Sequence, residues 1–203
     1  MWYNPRRQHM EQIRSFVAIE LNNHLKKELG ESQALLKSKG IADEVRWVKP
    51  EGLHLTLKFL GNVPADRVKE IVVAITQAKQ GVEPFAISFG GLGCFPTASR
   101  PNVIWVGVEG DTKSLTRLQA NIENRLSVLG YPPEKRKYTP HLTLGRVARH
   151  VKGTARRRLG GVIQTQSIGP LGEMKVREVS LIKSDLSPAG AKYARLAVVK
   201  LEG

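Results

Sequence analysis

The sequence predicts an α+β fold of antiparallel sheets with helices packed on one side of each. Strand-like stretches outnumber helical ones, and the two kinds do not alternate strictly, as a doubly wound parallel sheet requires. In addition, 203 residues that are 41% hydrophobic and 25% charged supply a full core, and no linker rich in glycine, proline or serine divides them.

Taken in order, the β-favouring run Phe16-Val17-Ala18-Ile19 predicts a buried strand over Ile13–Leu21, and Leu25, Leu29 and Leu36 a helix that stops near Gly40. Val45–Val48 is a short strand ended by Pro50, and Leu53–Leu60 is another. Val68, Ile71, Val72 and Ile75 fall at i, i+3, i+4 and i+7, which predicts a helix after Pro64-Ala65-Asp66. Phe85–Phe89 and Val103–Val108 read as strands flanking a loop that runs from Gly90-Gly91-Leu92-Gly93 to Arg100-Pro101. Asp111 offers an N-cap to a helix carrying Leu115, Leu118, Ile122 and Leu126, closed by Gly130 and Pro132-Pro133. His141–Val147 is strand-like, Arg156-Arg157-Arg158 lies in a basic stretch of weak pattern, and Val176–Lys183 and Tyr193–Leu201 close the chain as strands.

Lysine and arginine number 32 against 18 aspartates and glutamates, a net charge of +14 that attracts polyanions, of which nucleic acid is the commonest in cells. Charge alone fits a solvated basic surface equally well. No apolar run approaches the ~18 residues of a spanning helix, so no membrane partner is expected. Cys94 is the only cysteine, and Met1–Met10 carries Arg6 and Arg7 without the apolar stretch of a secretory signal, so a reducing cytoplasm is expected. Neither a Walker A loop nor a dinucleotide glycine fingerprint is present, which disfavours ATP- or NAD-dependent chemistry.

One signal stands above this background. His54-Leu55-Thr56-Leu57 recurs letter for letter as His141-Leu142-Thr143-Leu144, 87 residues later. Chance repetition of such a tetrad in a chain this long is expected only about a few times in a thousand. In a strand, side chains alternate faces, so each copy turns an imidazole and a hydroxyl to one side and two leucines to the core. Two such platforms about an approximate two-fold axis place two imidazoles across one cleft. An imidazole of ordinary pKa near ~6.5 gives or takes a proton at neutral pH. Displacement at phosphorus needs a base on one side of the phosphorus and an acid on the other, with hydroxyls for the non-bridging oxygens. A zinc site is the competing reading for strand histidines, but neither tetrad brings Cys, Asp or Glu onto the same face, so no metal is expected.

Other candidates divide less sharply. Lys58 shares parity with His54 and Thr56, so it either contacts a substrate phosphate or is a solvated strand lysine. Alternation puts Arg146 opposite His141 and Thr143, and a phosphate role for it requires a bulge. His9, His24 and His150 lack a threonine partner and read as surface residues, Cys94 as a packing residue, and Phe16, Trp105 and Tyr138 as core, with Tyr138 close enough to His141 to line a cleft. The Arg156–Arg158 run reads as a solvated face or as a contact to RNA backbone.

These residues resemble the 2H phosphoesterase superfamily, and within it the RNA 2′,3′-cyclic phosphodiesterases, historically called 2′-5′ RNA ligases. The likeness extends to Arg14-Ser15-Phe16-Val17-Ala18-Ile19, to Trp47-Val48-Lys49-Pro50-Glu51-Gly52-Leu53, to Lys58-Phe59-Leu60-Gly61, to Cys94-Phe95-Pro96 with Arg100 to Gly107, and to Tyr138-Thr139-Pro140, over roughly residues 13 to 200. It implies two pseudo-symmetric lobes, each a mainly antiparallel sheet with helices on its outer side and a cleft between the sheets. It also implies a single two-lobed domain over 13–203 with an extension at 1–12. The implied activity is metal-independent hydrolysis of an RNA or nucleotide 2′,3′-cyclic phosphate to a 2′-phosphate without a cofactor or an obligatory protein partner. By the same resemblance His54 is the proton donor, His141 the acceptor, and Thr56 and Thr143 hold phosphate. Gly145, where relatives often carry Ala, is expected to be without effect. The alternatives are a non-catalytic RNA-binding module and a phosphodiesterase, or reversible 2′-5′ ligase, acting on small nucleotides.

Overall fold

The predicted helices begin where their caps place them. In the computed structural model, which describes residues 11–187 and 190–202, Asn22 accepts from the Leu25 amide at 2.8 Å to open α1 (Asn23–Leu36). Asp111 accepts from Ser114 at 3.0 Å to open α3 (Thr112–Val128). Helix α1 ends in a wider turn over Lys37–Ile41, where Gly40 takes a φ of 78°, a conformation open to glycine. Helix α2 (Val68–Ala78) follows a short turn over Ala65–Arg67.

The strands are β1 (Gln12–Glu20), β2 (Val45–Trp47), β3 (His54–Pro64), β4 (Phe85–Phe95), β5 (Val103–Gly110), β6 (His141–Val147), β7 (Gly172–Val176), β8 (Glu178–Ser187) and β9 (Gly190–Lys200). They form two antiparallel sheets, one ordered β3-β1-β8-β9 and the other β2-β6-β5-β4-β7. Helices α2 and α3 pack together and onto the first sheet through β9 and β3, and α4 (Gly153–Thr165) packs on β4 of the second. The chain thus runs twice through strand, helix, strand, helix, strand: β1-α1-β3-α2-β4 and then β5-α3-β6-α4-β8. The last strand of each pass joins the sheet of the other, β8 beside β1 and β4 beside β5. Strands β3 and β6, which carry the two tetrads, approach each other between the sheets.

Three expectations change. The glycine-rich Gly90–Gly93 is not a loop: β4 continues to Phe95 through a bulge at Gly91, paired with β5. Those glycines make room rather than turns, since a Cβ on Gly93 would lie 2.2 Å from the Trp105 ring. The basic stretch around Arg156 is helix α4, whose start carries no side-chain cap and whose Leu159 and Ile163 are nonetheless buried. A separate strand, β7, precedes β8. Residues 1–10, with His9, lie outside the described residues, and Gln12 already pairs with Pro64 in β1.

Candidate active site

Each tetrad is anchored by its leucines. Leu55, Leu57, Leu142 and Leu144 are at most 3% exposed, while His54, Thr56, His141 and Thr143 on the other face are half-buried. Thr56 of one motif and His141 of the other line a single cavity of about 780 Å3, together with Phe95, Pro96 and Tyr138. The Tyr138 hydroxyl donates to the Thr56 carbonyl at 3.2 Å, which ties the approach to the second motif to the first.

Both imidazoles are held in the same way. His54 Nδ1 meets the Gly52 carbonyl at 2.7 Å, and His141 Nδ1 meets the Thr139 carbonyl at 2.7 Å, each two residues upstream. A carbonyl only accepts, so each Nδ1 carries the proton and Nε2 is left as the working nitrogen. The rings are braced by aromatics: Phe16 stacks on His54 at 4.5 Å with Tyr193 edge-on at 5.2 Å, and Phe95 is edge-on to His141 at 5.0 Å. Gly52 admits Tyr193, since a Cβ there would sit 2.9 Å from its ring.

Burial pushes the pKa of both histidines below the ordinary value, and the neighbouring charges then differ. At His54 the Gly52 carbonyl and the Glu20 carboxylate favour the charged ring, against a smaller opposing effect of Lys26. At His141 the Thr139 carbonyl favours the charged ring, while the Arg146 guanidinium opposes it. Glu20 is itself held low by a bidentate pair with Arg195, at 2.7 and 2.8 Å.

The two further candidates are placed by matching bulges. Register jumps at Leu57 in β3, where Ala18 faces Thr56 and Val17 faces Lys58, and at Leu144 in β6, where Trp105 faces Thr143 and Ile104 faces Gly145. Alternation resets there, which puts Lys58 on the core side and Arg146 on the solvent side. Lys58 is therefore neither solvated nor free for a phosphate. It is 2% exposed and donates to Glu123 at 2.5 Å and to the Pro132 carbonyl at 2.9 Å. Arg146 gains the bulge that a phosphate contact requires, and its charge is felt at both His141 and Tyr193.

Each bulge carbonyl is taken by a buried glutamine from the helix of the other pass. Gln119 of α3 donates to Leu57 O at 3.4 Å, and Gln33 of α1 donates to Leu144 O at 2.9 Å and to Val48 O at 2.7 Å. Gly145 proves constrained, since a Cβ there would come within 2.5 Å of Val45 and 3.2 Å of the Arg46 carbonyl.

Comparison with known proteins agrees with this two-fold construction. The family described as LigT like Phosphoesterase matches the chain twice, over residues 19–105 and 106–193. The chain belongs to this family. Among curated relatives, a protein of Methanothermobacter thermautotrophicus named RNA 2′,3′-cyclic phosphodiesterase is 38% identical over 191 residues, 93% of this chain and 99% of the relative. One of Archaeoglobus fulgidus with the same name is 34% identical, over 92% of this chain and 99% of its own. The structure of E. coli LigT complexed with 3′-AMP superposes with a TM-score of 0.75 at 24% identity, over 95% of this chain and 100% of LigT, a likeness of fold.

For this LigT-like phosphoesterase, the remaining sequence candidates fall outside the cleft. Arg158 pairs with Glu44 and bonds the Gly40 carbonyl, and Arg156 and Arg157 border a small cavity with Arg100 and Lys152. His24 and His150 are exposed, and the Cys94 thiol is pushed up by burial, away from the reactive thiolate. Among the described residues no helix is long and apolar enough to cross a membrane, and no three His, Cys, Asp or Glu gather as metal ligands. Tyr193 and Glu20 were invisible to motif reasoning, because each meets His54 only through strand pairing and the return of a distant strand.

Proposed function

We propose that this chain hydrolyses the 2′,3′-cyclic phosphate at an RNA end to a 2′-phosphomonoester, as the names of its curated relatives indicate, by acid–base work of His54 and His141. His141 Nε2 takes a proton from water as its oxygen bonds to phosphorus. The bond from phosphorus to the 3′ oxygen breaks, and His54 gives its proton to that oxygen. Thr56, Thr143 and Arg146 face the non-bridging oxygens, whose charge grows in the transition state. Lys58 has no part in this reading.

The observation that carries the reading is the pair of opposite charges beside two equivalently held rings. A carboxylate beside His54 favours the imidazolium that an acid needs, and a guanidinium beside His141 favours the neutral ring that a base needs. That contrast orders the roles, which the symmetric tetrads alone leave open. A reducing cytoplasm suits a chain whose only cysteine is Cys94.

The test is turnover of an oligoribonucleotide ending in a 2′,3′-cyclic phosphate, in excess EDTA, with the product identified as the 2′- or 3′-phosphate. His54→Ala and His141→Ala are each expected to slow it by about 10²- to 10⁴-fold. Full activity in either variant, or a 3′-phosphate product, overturns the proposal.

A further inference from the structure

Beside the cleft lies a second cavity of about 700 Å3, whose lining includes Phe59, Asn62, Tyr131, Pro132, Lys135 and Arg136. It is continuous with the first, since Phe59, Glu134 and Arg136 line both. Phe59 owes its place to the bulge at Leu57. The residue after Lys58 returns to the face of His54 and Thr56, and the ring stands 52% exposed.

The facing wall is fixed in place. The buried Lys58 ammonium holds the Pro132 carbonyl at 2.9 Å, Arg67 holds the Leu129 carbonyl at 3.0 Å, and the Arg67 guanidinium lies over the Tyr131 ring at 5.6 Å. Beyond it Lys135, Arg136 and Lys137 stand exposed, with Glu134 the carboxylate among them.

A solvent-facing aromatic ring in a groove rimmed by cations matches the chemistry of an unpaired nucleotide, whose base stacks and whose phosphate seeks positive charge. The two tetrad strands differ at this point: 87 residues on, the place of Phe59 is taken by Arg146. Only the half that carries Phe59 offers a stacking face there, which gives the groove a polarity that the paired tetrads lack.

We propose that this groove binds the nucleotide immediately 5′ of the cyclic phosphate, its base on Phe59 and its phosphate towards Lys135 and Arg136. The preferred substrate is then an RNA end of two or more nucleotides rather than a cyclic mononucleotide. This rests on reading the cleft as the site of the RNA end.

The experiment compares a nucleoside 2′,3′-cyclic monophosphate with a dinucleotide ending in that same group, and with a dinucleotide whose 5′ residue lacks its base. The wild-type kcat/KM is expected to be about tenfold higher for the full dinucleotide than for the other two. Phe59→Ala should erase that ratio, Phe59→Trp should keep it, and Lys135→Ala should reduce it. The ratio cancels any general loss of activity in a variant. Equal wild-type turnover of all three substrates, or a ratio untouched by Phe59→Ala, overturns the subsite.

A parallel titration with the corresponding 2′-phosphate-ended mono- and dinucleotides measures binding without turnover. A dinucleotide preference there with no hydrolysis would sink the proposed reaction and leave the groove standing, whereas equal affinities would sink the groove.

Discussion

His54 and His141 hold their rings by the same bond and differ in the charges beside them, so their titrations should be separable by mutation. In the reading above, the rising limb of kcat/KM against pH reports loss of the proton from His141 and the falling limb loss of the proton from His54, as apparent values of a coupled pair. Burial lowers both from the ordinary value of about 6.5, so the maximum should fall on the acid side of that pH. Removing the Glu20 charge withdraws support for the His54 imidazolium. Glu20→Gln should therefore move the falling limb to lower pH and narrow the bell, and Arg146→Ala should move the rising limb to higher pH. A pH series of kcat/KM on the three proteins checks this. Unmoved limbs would show that the neighbouring charges do not set the roles.

At the scale of a strand, the matched bulges decide which residues share the catalytic face, and the bulge in β3 leads into a buried chain of polar contacts. Leu57 O accepts from Gln119, Gln119 donates to Glu123, Glu123 accepts from Lys58, and Lys58 donates to Pro132 O. Removing one member of a buried ion pair strands the other charge, at a cost of about 3–5 kcal/mol. Glu123→Ala should lower unfolding stability by about that amount, and Lys58→Met combined with Glu123→Leu should recover much of it, since two apolar groups leave no charge behind. Denaturant unfolding of the single and double variants measures the difference, and a single variant near wild type would show the pair to be solvated. The histidines and threonines were legible because four residues of strand suffice to define their face. Lys58 and Arg146 were not, because two-residue alternation fails at a bulge, and each bulge carbonyl is met by a glutamine 62 or 111 residues away in sequence. Helix α4 went unread for a local reason: Arg156-Arg157-Arg158 and the Gly160-Gly161 pair dilute its apolar positions, and no cap marks its start.

For the whole molecule, the number and kind of most elements followed from apolar spacing and caps, but the pairing of strands between repeats did not, since nothing in β4 or β8 says which sheet receives it. That exchange has an energetic consequence. β8 lies between β1 and β9, and β4 lies between β5 and β7, so each sheet has an interior strand supplied by the other pass of the chain. Neither pass completes a sheet by itself, and each bulge is set by a helix of the other, which makes the two lobes one cooperative unit. Heating should then give a single transition whose calorimetric enthalpy equals its van't Hoff enthalpy. Leu181 of β8 is 1% exposed, and Leu181→Ala should cost about 2–5 kcal/mol. That loss should move the whole transition to lower temperature without splitting it, in calorimetry and in the fluorescence of Trp47 and Trp105, both of which lie in the other sheet. If tryptophan fluorescence kept its wild-type midpoint while the heat signal broadened or divided, the lobes would be melting separately and the exchanged strands would not couple them.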